Sequence, residues 1–180
     1  MGWKVDVPHS NVEFTARHMM ITKVRGSFRD FDGDVTIDEN DFTASTLEGT
    51  VQVASIDTGN EDRDAHLRSA DFFDVDTYPT MRFVATNIMR EDEDEYEVEG
   101  ELTIKDVTQA VRWEVEALGH RTDPYGNEKW GFSAETKIDR RDFGLTWNVP
   151  LDGGGVLVGN TIEIELSVQF QKVNESEAAA

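Results

Sequence analysis

The residues with the clearest capacity for chemistry lie in one short stretch, NEDRDAHLR, at positions 60–68. It holds Arg63, His66 and Arg68 in a chain whose net charge is -20. A guanidinium beside an imidazole can bind the phosphate or carboxylate head group of a ligand. In the alternative, both arginines pair with nearby aspartates and only fix a helical turn. The available partners are Asp64, Asp71 and Asp74.

The segment DVPHS, residues 6–10, brings a carboxylate, an imidazole and a hydroxyl together in the sequence. A catalytic triad needs three side chains that converge in space beside an oxyanion hole, which closeness along the chain does not supply. We expect a structural role, in which His9 and Ser10 hydrogen-bond to loop backbone. No catalytic residue is predicted.

Metal-binding patterns are weak in this chain. Its histidines are His9, His18, His66 and His120. None of them shows the short spacing to another histidine that is typical of zinc ligands. Asp62, Asp64 and His66 alternate, but in a helical segment they would not share a face. The chain has no cysteine, which excludes thiolate ligands and disulfides. We predict no metal site and no cofactor.

Composition limits the partners and the compartment. With 37 acidic and 17 basic residues, the chain repels nucleic-acid phosphates, so no nucleic acid is expected to bind. No apolar run approaches the roughly 20 residues that span a bilayer, and the opening MGWKVDVPHSNVEF lacks a signal-peptide pattern. We therefore expect a cytoplasmic protein without stable membrane insertion.

The elements that must position these residues are mostly strands. Apolar and polar residues alternate in TLEGTVQVA, YEVEGELTIK, VRWEVEAL, WGFSAETKI and TIEIELSVQF, a period typical of strands with one buried face. Turn residues between these segments predict hairpins. Phe28 and Phe31 fall out of phase, which predicts a bend or bulge near Asp30. These features favour an all-β antiparallel barrel or sandwich.

Residues 60–79 are the exception, because their pattern is helical. Asn60 or Asp62 can cap a short helix, and Pro79 forces Tyr78 into an extended conformation. The length of the chain suits a single domain, assigned to residues 1–173. The remaining residues, 174–180, lack any period and are predicted to form a disordered tail.

Aromatic residues recur on the apolar faces of the predicted strands. They are Phe14, Phe83, Trp113, Phe132 and Phe170. Such rings either fill the interior of a barrel or line a tunnel for a lipid tail, and periodicity alone favours the filled interior.

Several motifs together resemble the YceI-like family. In order, they are VDVPHSNVEFTARHM, GSFRDFDGDV, SIDTGNEDRDAHLRSADFFDVDTYPTMRF, VEGELTIKDVTQAV and DRRDFGL. The resemblance extends from about Trp3 to Lys172. It implies a lipocalin-like, extended antiparallel barrel of about eight strands with a short helical insertion, enclosing an elongated apolar cavity. It also implies binding of polyisoprenoids or similar long-chain lipids, and it brings no established catalytic residues.

With the resemblance added, the hollow barrel becomes the preferred interpretation, and a carrier of a long-chain isoprenoid is the predicted function. A homodimer is possible. The candidate ligand-binding residues are Phe14, His18, Arg63, His66, Leu67, Phe83, Trp113, Phe132 and Phe170. The alternative is an enzyme that acts on a lipid-like substrate with a histidine as acid or base, the candidates being His9, His18 and His66.

Overall fold

The computed structural model describes residues 2–174. The strands are β1 (Trp3–Val5), β2 (Asn11–His18), β3 (Thr22–Phe28), β4 (Phe31–Thr36), β5 (Thr46–Gln52), β6 (Ile56–Asp57), β7 (Thr80–Arg90), β8 (Glu95–Ile104), β9 (Val107–Thr122), β10 (Glu128–Asp139) and β11 (Thr161–Lys172). One α-helix, α1, spans Glu61–Arg68 in this part of the chain, and 3-10 helices lie at Val7–His9, Phe42–Ala44, Val53–Ser55 and Arg140–Phe143. Of the predicted disordered tail, only Asn174 lies within the described residues.

The strands form a closed antiparallel barrel of eight strand courses. Three courses consist of two segments each, β1 with β2, β3 with β4, and β5 with β6, and the other five are β7 to β11. The barrel closes where β11 pairs with β1, through Phe170 opposite Val5, and with β2, through Ile164 opposite Phe14. The predicted all-β barrel with a short helical insertion is confirmed.

The bend expected near Asp30 lies between β3 and β4. β3 ends at Phe28 and pairs with β2, whereas β4 begins at Phe31 and pairs with β1. The interruption restores the phase of the alternation, so that both phenylalanines face the interior of the barrel.

Helix α1 occupies only the first part of the predicted helical stretch. The Asn60 side chain accepts a hydrogen bond of 3.0 Å from the Arg63 backbone N–H, which confirms Asn60 as the N-cap. After Arg68 the chain continues in turns, and Phe72 and Phe73 pack against the core. The helix ends at Arg68, where Ser69 takes an extended conformation, and the turns that follow place this phenylalanine pair against the barrel.

Two inward-facing phenylalanines lie across glycines of the neighbouring strands. Phe14 lies beside its register partner Gly26, and a Cβ atom at Gly26 would overlap the Phe14 ring. Phe83 covers Gly100 in the same way, and there a Cβ would also overlap the carbonyl oxygen of Val84. The missing side chains let each ring approach the backbone closely.

This packing predicts that Gly100→Ala destabilises the barrel by about 1–3 kcal/mol, because the added methyl meets both a ring and an immobile carbonyl. Urea unfolding followed by tryptophan fluorescence measures the change. Gly49→Ala is the matched control, since the atom nearest to its Cβ is 4.0 Å away. Equal destabilisation by the two variants would contradict the prediction.

Candidate functional site

An elongated cavity of about 320 Å³ occupies the interior of the barrel. It extends from Phe42 and Phe132 at one end to Leu145 and Arg140 at the other. Its surface is formed almost wholly by apolar atoms. The barrel is therefore hollow, with space for an apolar ligand.

Two glycines form part of the cavity wall. Gly33 in β4 and Gly49 in β5 are register partners, and both contribute to the cavity wall. On the same faces, Val35 pairs with Leu47 and all four positions point inward. A Cβ at Gly33 would meet the Val5 side chain at 2.9 Å and the Glu48 carbonyl at 3.1 Å, whereas the atom nearest to a Cβ at Gly49 is 4.0 Å away. Of the two glycines, it is therefore Gly49 that leaves open space beside the wall.

Six of the predicted ligand-binding residues line the cavity. They are Phe14, Leu67, Phe83, Trp113, Phe132 and Phe170. Five come from strands on different sides of the barrel, and Leu67 comes from α1. The alternation of apolar and polar residues predicts that the five strand residues point inward. The structure brings the six residues together around one space.

The three polar candidates lie away from this wall. His18 is exposed at the end of β2, where it forms a β-bridge with Val158. His66 is half-buried, its Nε2 lies 2.9 Å from Asp71 Oδ2, and its ring packs edge-on against Trp147. Arg63 is exposed. Ligand binding by these three residues stays a prediction.

The arginines of α1 bind carbonyl oxygens. Arg63 donates to the Thr58 hydroxyl at 2.7 Å and to the Thr58 carbonyl at 2.8 Å. Arg68 donates to the carbonyls of Ala54 and Ile56. Neither arginine forms a salt bridge within residues 2–174, so the expected pairing with aspartates is not what fixes the helix. Each guanidinium instead ties α1 to the segment that precedes it.

A buried carboxylate completes this attachment. Asp64 is the buried residue of α1, and its Oδ1 accepts hydrogen bonds from the Thr58 backbone N–H at 2.9 Å and the Thr58 hydroxyl at 2.5 Å. Thr58 thereby contacts both Asp64 and Arg63. The charged stretch that suggested a head-group site forms a compact hydrogen-bonded joint between α1 and β6.

The DVPHS segment also has a structural role. Ser10 Oγ donates to the Asp6 carbonyl at 2.8 Å and accepts from the Gln169 backbone N–H at 3.0 Å. Burial acts to raise the pKa of Asp6, but hydrogen bonds from Lys129, His9 and Gln169 outweigh it and lower that pKa. The segment joins β1 and β2 to the neighbouring β11.

Arg140 is a functional candidate that sequence reasoning missed. Only 3% of it is exposed, and it lines one end of the cavity. Its guanidinium donates to four carbonyl oxygens, those of Leu145, Trp147, Val158 and Gly159, at 2.7 to 3.3 Å. Burial lowers its pKa, with the Asp139 charge opposing this effect.

The adjacent Arg141 behaves differently. It is exposed and forms a two-point ion pair with Asp139, whose hydrogen bonds from Arg141 lower the pKa of that carboxyl to about 2. Two neighbouring arginines in DRRDFGL thus have opposite environments. Nothing in the residue types distinguishes them, because the difference comes from the turn of the 3-10 helix Arg140–Phe143.

Two kinds of feature are absent from residues 2–174. No group of three or more histidine, aspartate or glutamate side chains is arranged to hold a metal ion there. In the same range, no helix has the length and apolar character needed to cross a membrane.

Comparison with known proteins gives consistent matches. A family model described as a YceI-like domain matches residues 3–170. A UPF0312 protein of Staphylococcus epidermidis is 38% identical over 166 residues, which cover 92% of this chain and 94% of that protein.

Solved structures share the fold. BcnA of Burkholderia cenocepacia superposes with a TM-score of 0.79 at 24% identity, covering 92% of this chain and 98% of BcnA. A polyisoprenoid binding domain from Saccharophagus degradans has a TM-score of 0.68 at 15% identity. The match covers 95% of this chain and 98% of that domain. At these identities the two likenesses establish the fold alone.

Arg140 and Arg141 offer a matched test of burial. Arg140→Met is expected to destabilise the protein by about 3 kcal/mol or more, because four buried or partly buried carbonyls lose a charged donor. Arg141→Met removes an exposed ion pair and is expected to change stability far less, because solvent screens that pair. Chemical unfolding at neutral pH measures both changes. Similar losses of stability in the two variants would contradict the assignment of Arg140 to a buried environment and Arg141 to an exposed one.

Proposed function

The chain belongs to the YceI-like family, and we propose that its barrel binds the long apolar chain of a lipid such as an isoprenoid, as a carrier rather than as an enzyme. The observation that carries the proposal is the cavity. It is continuous, almost wholly apolar and lined by aromatic and aliphatic side chains from around the barrel. Such a surface offers contacts to a hydrocarbon and few to a polar molecule.

The volume of the cavity indicates the shape of its ligand. About 320 Å³ is near the lower end of the range of ligand sites, roughly 300–1,000 Å³. The space is therefore suited to one slender chain. The polyisoprenoid binding of the Saccharophagus degradans domain, which shares this fold, is in line with such a ligand.

Burial of the lipid tail provides affinity but little selectivity. Each buried CH₂ contributes about 0.8 kcal/mol relative to water. A bilayer offers the same tail an equally apolar environment, so exchange between a membrane and the barrel is close to neutral for the tail. Selection among lipids must therefore come from the length of the cavity and from contacts to the head group.

The histidines support binding over catalysis in this proposal. His9 lies 3.0 Å from Asp6, His66 lies 2.9 Å from Asp71, and His18 belongs to a strand end. They occupy separate places in the barrel, and none of the three is part of the cavity wall. A histidine general base would have to reach a substrate held in that cavity.

The proposal is tested by filling the cavity at Gly49. We expect Gly49→Leu to lower the amount of lipid recovered by organic extraction and mass spectrometry about tenfold or more, because the new side chain occupies the ligand's space. Gly131→Leu is the matched control. Its side chain would meet Leu118, which is itself on the outer surface, so lipid recovery should be unchanged.

The wild-type extract, compared with a mock purification, gives the identity of any bound lipid. If the wild-type protein contains no lipid and takes up none of an added prenyl alcohol, the proposal is wrong. The same conclusion follows if Gly49→Leu and Gly131→Leu reduce lipid recovery equally.

Head-group recognition by Arg63 is part of the proposal and has its own test. We expect Arg63→Ala to weaken binding of a prenyl diphosphate about tenfold, while binding of the matching prenyl alcohol stays within about twofold. Fluorescence competition measures both affinities. An equal loss for the two ligands would show that Arg63 acts only through its hydrogen bonds to Thr58, by anchoring α1.

A further inference from the structure

The turn between β2 and β3 exposes three consecutive apolar side chains. His18 and Thr22 are register partners, so Met19, Met20 and Ile21 form the whole connection. Ile21 is 74% exposed and Met20 is 56% exposed. Large apolar side chains that stand together at the tip of a hairpin, in contact with water, are typical of an interaction surface.

The backbone of this turn does not call for methionine. The Ile21 N–H donates to the His18 carbonyl at 3.0 Å, and the two central residues, Met19 and Met20, have φ values of 53° and 60°. Left-handed residues at both central positions are normally Asn and Gly, because other side chains are strained there. The methionines therefore add exposed apolar surface at a conformational cost.

The charge around the tip is opposite to that of the whole chain. Residues 14–29 contain four of the 17 basic residues and none of the 37 acidic ones. Arg17 and Lys23 are register partners, and Arg25 lies opposite Thr15, so the three cations share the outer face of the hairpin. All three are exposed, and none has a salt bridge within residues 2–174.

Few carboxylates approach these cations. Glu163 lies opposite Thr15 on the neighbouring strand, and its Oε1 is 3.8 Å from Lys137. Asp152 lies in the segment whose Leu157 carbonyl accepts a hydrogen bond from the Met19 N–H. The hairpin therefore presents an apolar tip with a basic flank in an otherwise strongly acidic protein.

We propose that the β2–β3 hairpin docks on an anionic lipid surface. The side chains of Met19, Met20 and Ile21 enter the interface, and Arg17, Lys23 and Arg25 contact the head groups. Apolar residues beside cations bind such surfaces through burial and charge attraction together. At physiological ionic strength the Debye length is about 8 Å, so the distant carboxylates repel the surface only weakly once the tip is in contact.

Docking through this hairpin would bring the cavity close to the lipid. Ala16, which directly precedes Arg17, is part of the cavity wall. The inference does not depend on the identity of the ligand, and it goes beyond binding of a lipid in the barrel because it concerns the outer surface.

The experiment is flotation of the full chain with vesicles of phosphatidylcholine alone or with added phosphatidylglycerol. We expect binding to the anionic vesicles and little binding to the neutral ones. Replacement of Arg17, Lys23 and Arg25 by Gln should weaken binding about fivefold for each charge removed. Binding that is absent from both vesicle types, or equal for both, would overturn the proposal.

A second variant separates docking from folding. Met19→Asn with Met20→Gly supplies the residues that the turn geometry favours, so its unfolding midpoint should equal or exceed that of the wild type while vesicle binding is lost. Retained binding in this variant would overturn the role of the tip.

Matched controls lie on the hairpin at the opposite end of the barrel. Tyr125→Ser and Arg121→Gln change an exposed ring and an exposed cation there, and both variants should bind vesicles as the wild type does. Gly49→Leu should also bind normally. If Gly49→Leu and the wild type both float but neither holds lipid after purification, docking stands and the carrier proposal fails.

Discussion

Closure of the barrel depends on β11. One edge of this strand pairs with β10 over eleven residues, and the other edge is divided between β1 and β2. The division falls at the segment from Asp6 to Ser10, where the Asp6 carboxylate binds Lys129 and Gln169 and the Ser10 hydroxyl binds the backbone of Gln169. Without the pairing of β11 with β1 and β2, the sheet would have two open edges, and its interior would be a groove in place of a cavity.

Once the sheet is closed, the small residues of the inner face decide what the interior contains. Gly26 and Gly100 are covered by the rings of Phe14 and Phe83, which fill the space that those glycines leave. Gly49 has no such cover, and the cavity lies against it. The same residue type therefore contributes a packed wall in one place and an empty volume in another.

Much of the fold could be predicted from the sequence, because alternation records directly which face of each strand is buried. The bend near Asp30, the Asn60 cap and the inward orientation of Trp113 and Phe132 all follow from local patterns. The hollow interior does not, since it depends on which inner-face positions, such as Gly49, are left uncovered by neighbouring side chains, and strand register decides that. Sequence reasoning likewise selected Arg63 for its acidic surroundings and missed Arg140, whose burial arises because the irregular segment that follows it folds back over its side chain.

The four carbonyls that converge on Arg140 tie together the chain segments at one end of the cavity. They come from both limbs of the segment that follows the 3-10 helix, residues 145–147 and 158–159, and the Asn148 side chain links the limbs again through Val158. A single guanidinium therefore holds both limbs, with Nη1 on the first and Nε and Nη2 on the second. The wall at this end of the cavity is therefore crosslinked by one buried side chain, and its shape depends on a residue that contributes almost nothing to the outer surface.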